Sequence, residues 1–147
     1  MAFFAGQSRD QMRRMYLDAW RKFSEQQPLE PLEAQLAAVI AEHPEYLHLI
    51  KAGDAALNAE FSPESGRQNP FLHMGLHLAI REQVATDRPK GIADIHRALS
   101  SRFGGAHEAE HTMLEALAET LWSAQRNNQA PDENAYLERL RALASRT

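Results

Sequence analysis

The sequence predicts an all-α fold, a compact bundle of five to seven helices, from three observations. Apolar residues recur at three- and four-residue spacing along most of the chain, as they do on one face of an α-helix. Clusters of proline, glycine and asparagine separate these segments where helices would begin or end. No segment has the alternation of apolar and polar residues that indicates a strand. With 147 residues, we expect a single domain over residues 1–147, with residues 1–7 as a flexible N-terminus.

Caps and prolines delimit the first helices. Ser8 is a preferred N-cap residue, and apolar residues follow it at helical spacing toward Pro28. Pro31 can open the second helix, and Pro44 ends or kinks it. A short helix then reaches Gly53, a residue typical of a helix C-terminus.

The second half of the chain contains the longer predicted helices. Asn69 and Pro70 form a cap and first-turn pair for a helix that the DRPKG cluster ends. The next helix ends at a pair of glycines, and another helix extends over residues 106–125. A last helix follows the segment NNQAP.

Composition excludes several classes of function. The formal net charge is −4, so no basic field favours nucleic acid or an anionic membrane. The absence of cysteine excludes disulfides, thiol catalysis, iron–sulfur clusters and cysteine-ligated zinc. The N-terminus does not resemble a secretory signal, and no apolar run approaches the ~20 residues of a membrane span. We therefore expect a cytoplasmic protein with no nucleic-acid or membrane partner, in which any metal has nitrogen and oxygen ligands.

Two pairs of histidines have the i, i+4 spacing of residues on one helical face. The first pair is His73 and His77, and the second is His107 and His111. This spacing places two imidazoles about one turn apart, within reach of a single metal ion. His43, at the C-terminal end of the second predicted helix, offers a further imidazole.

Helical projection places these histidines on apolar faces. The leucines of the helix over residues 106–125 define its apolar face when each residue turns the helix by about 100°. His107, Glu110 and His111 fall inside that face, and Glu115 falls at its edge. Because burying an unpartnered polar group costs a few kcal/mol, these side chains need partners.

The pattern predicts a metal site between facing helices, as bundles build them. The cofactor that suits imidazole and carboxylate ligands is a divalent transition metal, namely zinc, iron or manganese. Glu110 or Glu108 is a candidate general base, and Arg81 could orient a carboxylate or hold an anionic substrate. Such a site supports metal-assisted hydrolysis or redox chemistry, and the sequence leaves open whether the protein is an enzyme. The predicted metal ligands are His43, His73, His77, His107, His111 and Glu115.

An alternative from another class stays open at this point. The same histidines and glutamates, with Arg81, can form a buried hydrogen-bonded network that is structural or pH-sensing. The protein would then be a non-catalytic interaction or regulatory module. His48 and His96 lie outside the predicted site in either case. The sequence leaves open a small-molecule substrate, a protein partner and a possible homo-oligomer.

Four segments carry a resemblance to a known family: DQMRRMYLDAW, PLEPLEAQLAAVIAEHPEY, NPFLHMGLHLAIREQ and HEAEHTMLEALAETLW. Over roughly residues 6–143 the chain resembles a domain-of-unknown-function family of short, functionally uncharacterised bacterial proteins. The resemblance implies a stand-alone bacterial protein of this length and no particular activity. More loosely, the pattern is similar to hemerythrin-like metal-binding bundles. Their HxxxH step is matched by His73 with His77 and their HxxxE step by His111 with Glu115.

Overall fold

The computed structural model describes residues 8–59, 61 and 69–145. Within these ranges the regular structure is helical throughout, with no strand, which confirms the predicted all-α class. The predicted flexible N-terminus lies outside the described residues. A short 3-10 helix, Pro44–Tyr46, separates the second and third α-helices. The α-helices are α1 (Arg9–Ser24), α2 (Pro31–Ala41), α3 (Leu47–Lys51), α4 (Asp54–Asn58), α5 (Pro70–Thr86), α6 (Ile92–Phe103), α7 (Ala106–Arg126) and α8 (Glu133–Ser145).

The chain divides into two compact units, residues 1–78 and residues 79–147. The expectation of a single domain stays a prediction. The eight described α-helices exceed the predicted five to seven because α3 and α4, of five residues each, form separate elements. Among the described residues, no helix is both long and apolar enough to cross a membrane.

In the first unit, α1 is fixed at its N-terminus by the predicted cap. The Ser8 hydroxyl accepts a hydrogen bond from the Gln11 backbone N–H at 3.1 Å, and the Gln11 side chain accepts from the Ser8 N–H at 3.0 Å. This capping box satisfies two backbone donors that a helix N-terminus leaves unpaired. α1 then packs against α2, α3 and α4. The core of this unit contains Tyr16, Ala19, Leu36, Val39, Ile40, Ile50, Ala56, Phe71, Met74 and Leu78.

The helix α5 begins as the sequence predicts and is buried along most of its length. The Asn69 side-chain oxygen accepts from the backbone N–H groups of Phe71, at 3.0 Å, and Leu72, at 3.3 Å. Every residue from Met74 to Ile80 is buried. A helix buried on all sides gives rigid positions for any polar side chain that it carries.

In the second unit, α6, α7 and α8 pack against one another. Gly104 ends α6 in a left-handed conformation with φ of 88°, which a glycine adopts without strain. The Tyr136 hydroxyl of α8 donates a hydrogen bond to the Gln83 side chain at 2.9 Å. The buried side chains come from all three helices: Ile92, Ile95 and Leu99 from α6, Ala109, Met113, Leu114, Ala116 and Leu117 from α7, and Tyr136, Leu137 and Leu140 from α8.

The buried face of α7 differs from the predicted one. It includes Leu114 and Leu117 of the predicted leucine sector but extends over Ala109, Met113 and Ala116, so its centre is turned by roughly 70° from that of the predicted sector. His107 and His111 consequently lie at the border of the buried face and are half-buried.

Candidate metal centre

α5 holds two histidines one turn apart in the first unit. His77 is fully buried and His73 is half-buried. Their Nε2 atoms lie 3.2 Å apart, and their ring planes meet at 70°. The predicted i, i+4 pair is therefore present as two imidazoles that direct the same ring nitrogen toward each other.

His43 lies outside α2 rather than at its end, which corrects the sequence prediction. α2 ends at Ala41, and His43 has φ of −128° and ψ of 65°. The reason is Pro44, because a residue before proline is sterically disfavoured in the α conformation. The His43 backbone N–H donates to the Ile40 carbonyl at 3.0 Å. The Val39 carbonyl instead accepts from Nδ1 of the His43 imidazole at 2.7 Å.

This contact determines the tautomer of the neutral His43 side chain. A carbonyl oxygen only accepts hydrogen bonds, so the hydrogen is on Nδ1. The lone pair of the neutral ring is then on Nε2. A backbone carbonyl that binds one ring nitrogen and so prepares the other as a ligand is a recurring feature of metal-binding histidines. The imidazole is buried, with 2% of the residue exposed.

The three imidazoles of the first unit form one cluster. The ring centroid of His43 lies 5.1 Å from that of His73 and 4.8 Å from that of His77. One ring nitrogen of each histidine lies within 4.8 Å of those of the other two. A tetrahedral site with metal–nitrogen distances of 2.0–2.1 Å has nitrogens about 3.3 Å apart. The 3.2 Å separation of the two Nε2 atoms on α5 matches that edge, and a ring nitrogen of His43 lies within 4.8 Å of both histidines.

Tyr46 contacts two of the three rings. It stacks on His43 with an interplanar angle of 5° and a centroid distance of 5.4 Å. It also meets His73 edge-on, at 79° and 6.1 Å. The tyrosine is half-buried, and burial, followed by the nearby Glu45 carboxylate, raises the pKa of its hydroxyl.

In the second unit, α7 carries the second histidine pair. The ring centroids of His107 and His111 lie 4.4 Å apart, with the planes at 86°. Glu115, one turn further along α7, is exposed. The i, i+4 spacing thus brings the two imidazoles together here as well, on a less buried surface than that of His77.

Two of the predicted catalytic candidates, Arg81 and Glu110, form an ion pair in the second unit. The Arg81 Nε lies 3.2 Å and 3.1 Å from the two carboxylate oxygens of Glu110. The side chains are 30% and 10% exposed, respectively, so the pair is largely shielded from water. The two predicted candidates thus contact each other, and their catalytic roles stay predictions. Glu108, in the first turn of α7, is exposed.

A buried charge that the sequence analysis missed lies in the first unit. Arg13 is 3% exposed, and its Nη1 donates to the carbonyls of Ala56 at 3.0 Å, Leu57 at 3.2 Å and Ala59 at 2.8 Å. Its guanidinium carbon lies 4.9 Å from the centre of the Phe71 ring. Burial lowers the pKa of Arg13. This side chain caps the C-terminal end of α4 in the unit that contains the three histidines.

Nearly the whole chain matches one known protein family. The model of one family, a domain of unknown function, matches residues 8–142. No curated protein and no solved structure matches the chain. The looser similarity to hemerythrin-like bundles therefore stays a prediction.

Proposed function

The chain belongs to this family, Domain of unknown function (DUF1841), and we propose that it is a metal-binding helical protein. The proposed site contains His43, His73 and His77 as ligands. The observation that carries the proposal is the convergence of one nitrogen from each of these imidazoles within 4.8 Å, with one pair already at 3.2 Å. A divalent cation accepts several imidazole lone pairs at such distances.

The donor set restricts the metal. Among the described residues of the first unit, the cluster consists of imidazoles, which suit zinc, iron, copper and nickel. Manganese prefers oxygen ligands, so among the three predicted metals we propose zinc or iron in preference to manganese. Because neutral imidazoles add no negative charge, the ion would keep its full positive charge for any further ligand.

The chemistry follows from the number of ligands. Three protein ligands leave a coordination position for water or substrate, as in catalytic zinc sites, whereas a fourth protein ligand closes a structural site. An open site supports hydrolysis by a metal-bound water, and with iron it supports redox chemistry. His107, His111 and Glu115 of α7 remain predicted ligands. More specifically, we propose that the protein is a metal-dependent hydrolase or oxidoreductase.

Metal analysis tests the proposal. The full chain, purified without a histidine tag, is loaded in turn with Zn²⁺, Fe²⁺ without oxygen, and Mn²⁺, and freed of unbound metal. We expect about one equivalent of zinc or iron per chain and a large loss in His73→Gln and His77→Gln. His48→Gln, which removes an exposed histidine of the same unit, is the matched control. Less than about a tenth of an equivalent of every metal would contradict the proposal.

Separate variants test the predicted ligands on α7. His107→Gln, His111→Gln and Glu115→Gln each remove one of these side chains from the loaded protein. If one of these side chains completes the site, its replacement should lower the affinity of the protein for zinc. An unchanged affinity in all three variants would limit the ligand set to the first unit and favour an open, catalytic coordination position.

A second candidate function is a non-catalytic module with a structural or pH-sensing polar network. It is supported by the shielded ion pair of Arg81 with Glu110 and by the 3.2 Å contact between His73 and His77. In this case His73→Gln would change thermal stability and its pH dependence and leave the metal content at background.

A further inference from the structure

We infer that Tyr46 is a positioning residue of the proposed metal site, whose ring holds the His43 imidazole in the orientation that metal ligation needs. This inference rests on the proposed function of the three-histidine cluster. It concerns the aromatic ring of Tyr46 and not its hydroxyl group.

The stacking geometry supports this role. Tyr46 and His43 are parallel within 5°, with centroids 5.4 Å apart, which is an offset stack. Tyr46 also makes a face-to-edge contact with His73, in which the ring centroids lie 6.1 Å apart. One aromatic ring thus limits the movement of two proposed ligands.

The local sequence explains why the two rings stack. Pro44–Tyr46 forms a 3-10 helix, in which the Tyr46 backbone N–H donates to the His43 carbonyl at 2.9 Å. His43 is the N-cap of this helix, and the hydrogen bond across one turn of three residues brings Tyr46 back beside it. The segment His43-Pro44-Glu45-Tyr46 therefore places the tyrosine ring against the histidine ring by its backbone geometry.

The His43 imidazole is restrained in two independent ways. The 2.7 Å hydrogen bond from Nδ1 to the Val39 carbonyl fixes one end of the ring, and the stack with Tyr46 fixes its plane. A ligand that is held before the metal arrives loses less conformational entropy when it binds. Removing the stack should therefore weaken zinc binding even though Tyr46 is not itself a proposed ligand.

Zinc dissociation distinguishes positioning from a general structural role. The full-length protein is loaded with Zn²⁺, and transfer of the ion to a chromophoric chelator is followed in time. We expect dissociation about 10- to 100-fold faster in Tyr46→Leu, the range typical for residues that orient metal ligands. Tyr46→Phe keeps the ring and should dissociate at the parent rate. Leu49→Ala, a half-buried residue of the adjacent α3, controls for general loosening and should also keep the parent rate.

Cobalt supplies a second readout that altered stability does not move. In Co²⁺-loaded protein, the visible absorption depends on the coordination geometry, so we expect a changed spectrum in Tyr46→Leu and the parent spectrum in Tyr46→Phe. If Tyr46→Leu does not fold, Tyr46→Met, which keeps a long apolar side chain without a flat ring, replaces it. A parent dissociation rate and a parent spectrum in the variant that lacks the ring would overturn the role of Tyr46 and leave the proposed metal site standing. A parent protein that binds neither ion would overturn the proposed function together with this inference.

Discussion

The Nε2 atoms of His73 and His77 lie 3.2 Å apart on successive turns of α5. At this distance one N–H can bridge the two rings in metal-free protein, and the same two nitrogens can form an edge of a metal coordination shell. The i, i+4 spacing on α5 places the two side chains one turn apart, and the burial of His77 restricts its imidazole to few rotamers. Binding of a metal ion and folding of the first unit should therefore be coupled.

Zinc should raise the melting temperature of the parent protein. A ligand that binds only the folded chain stabilises it by about 2.7 kcal/mol at a free concentration one hundred times its Kd. Calorimetry with and without Zn²⁺ measures the shift. We expect His77→Gln to abolish the shift and His48→Gln to retain it, whereas equal shifts in both would point to zinc binding elsewhere on the chain.

Zinc affinity should fall as the solution becomes more acidic. An imidazole ligates a metal only in its neutral form, so protons compete with zinc for each of His43, His73 and His77. Competition titrations between about pH 8 and pH 5.5 would show the affinity decreasing more steeply than for a single histidine ligand. An affinity that is constant over this range would exclude ligation by histidines.

Replacing Arg13 should destabilise the protein. Arg13→Met keeps the length and much of the volume of the side chain but leaves the carbonyls of Ala56, Leu57 and Ala59 without this donor. We expect a loss of about 2–4 kcal/mol in the free energy of unfolding, measured by urea denaturation. The neighbouring Arg14, whose side chain is 56% exposed, gives the control Arg14→Met, with an expected change within about 0.5 kcal/mol.

Tyr16 should contribute to a loss of stability in alkali. Burial raises its pKa above the ordinary tyrosine value of about 10, so the unfolded chain ionises at lower pH than the folded chain. The stabilising contribution is thus fully present below about pH 10 and is lost as the pH rises further. Unfolding measured from pH 8 upward should show this decline, and Tyr16→Phe, which keeps the edge contact with Phe71, should make it less steep. An identical decline in both proteins would contradict the assignment to Tyr16.

Local signals in the sequence were sufficient for much of the fold. Helix ends are determined by hydrogen bonds and φ values within a few residues, so they can be predicted without tertiary context. Examples are the caps at Ser8 and Asn69 and the glycine at the end of α6. The burial of His77 also followed from the apolar residues around it on α5.

Features that depend on packing between elements were predicted less well. The burial of Ala109 and Ala116 on α7 depends on the packing of other elements against them, whereas helical periodicity alone favoured the larger leucines as the centre of the buried face. Arg13 was missed because its carbonyl partners lie more than 40 residues away. Its position three residues before the buried Tyr16 was the one signal that could have indicated a buried charge. Pro44 is a local signal that also explains why His43 lies outside α2, but the sequence prediction took it only as a residue that ends or kinks the helix.

X-ray absorption at the zinc edge of the loaded, tag-free protein tests the proposed site most directly. We predict nitrogen neighbours at about 2.0–2.1 Å, with outer-shell scattering from at least three imidazole rings and one ring fewer in His73→Gln. A shell of oxygen neighbours without imidazole scattering, unchanged in His73→Gln, would contradict a metal site at His43, His73 and His77.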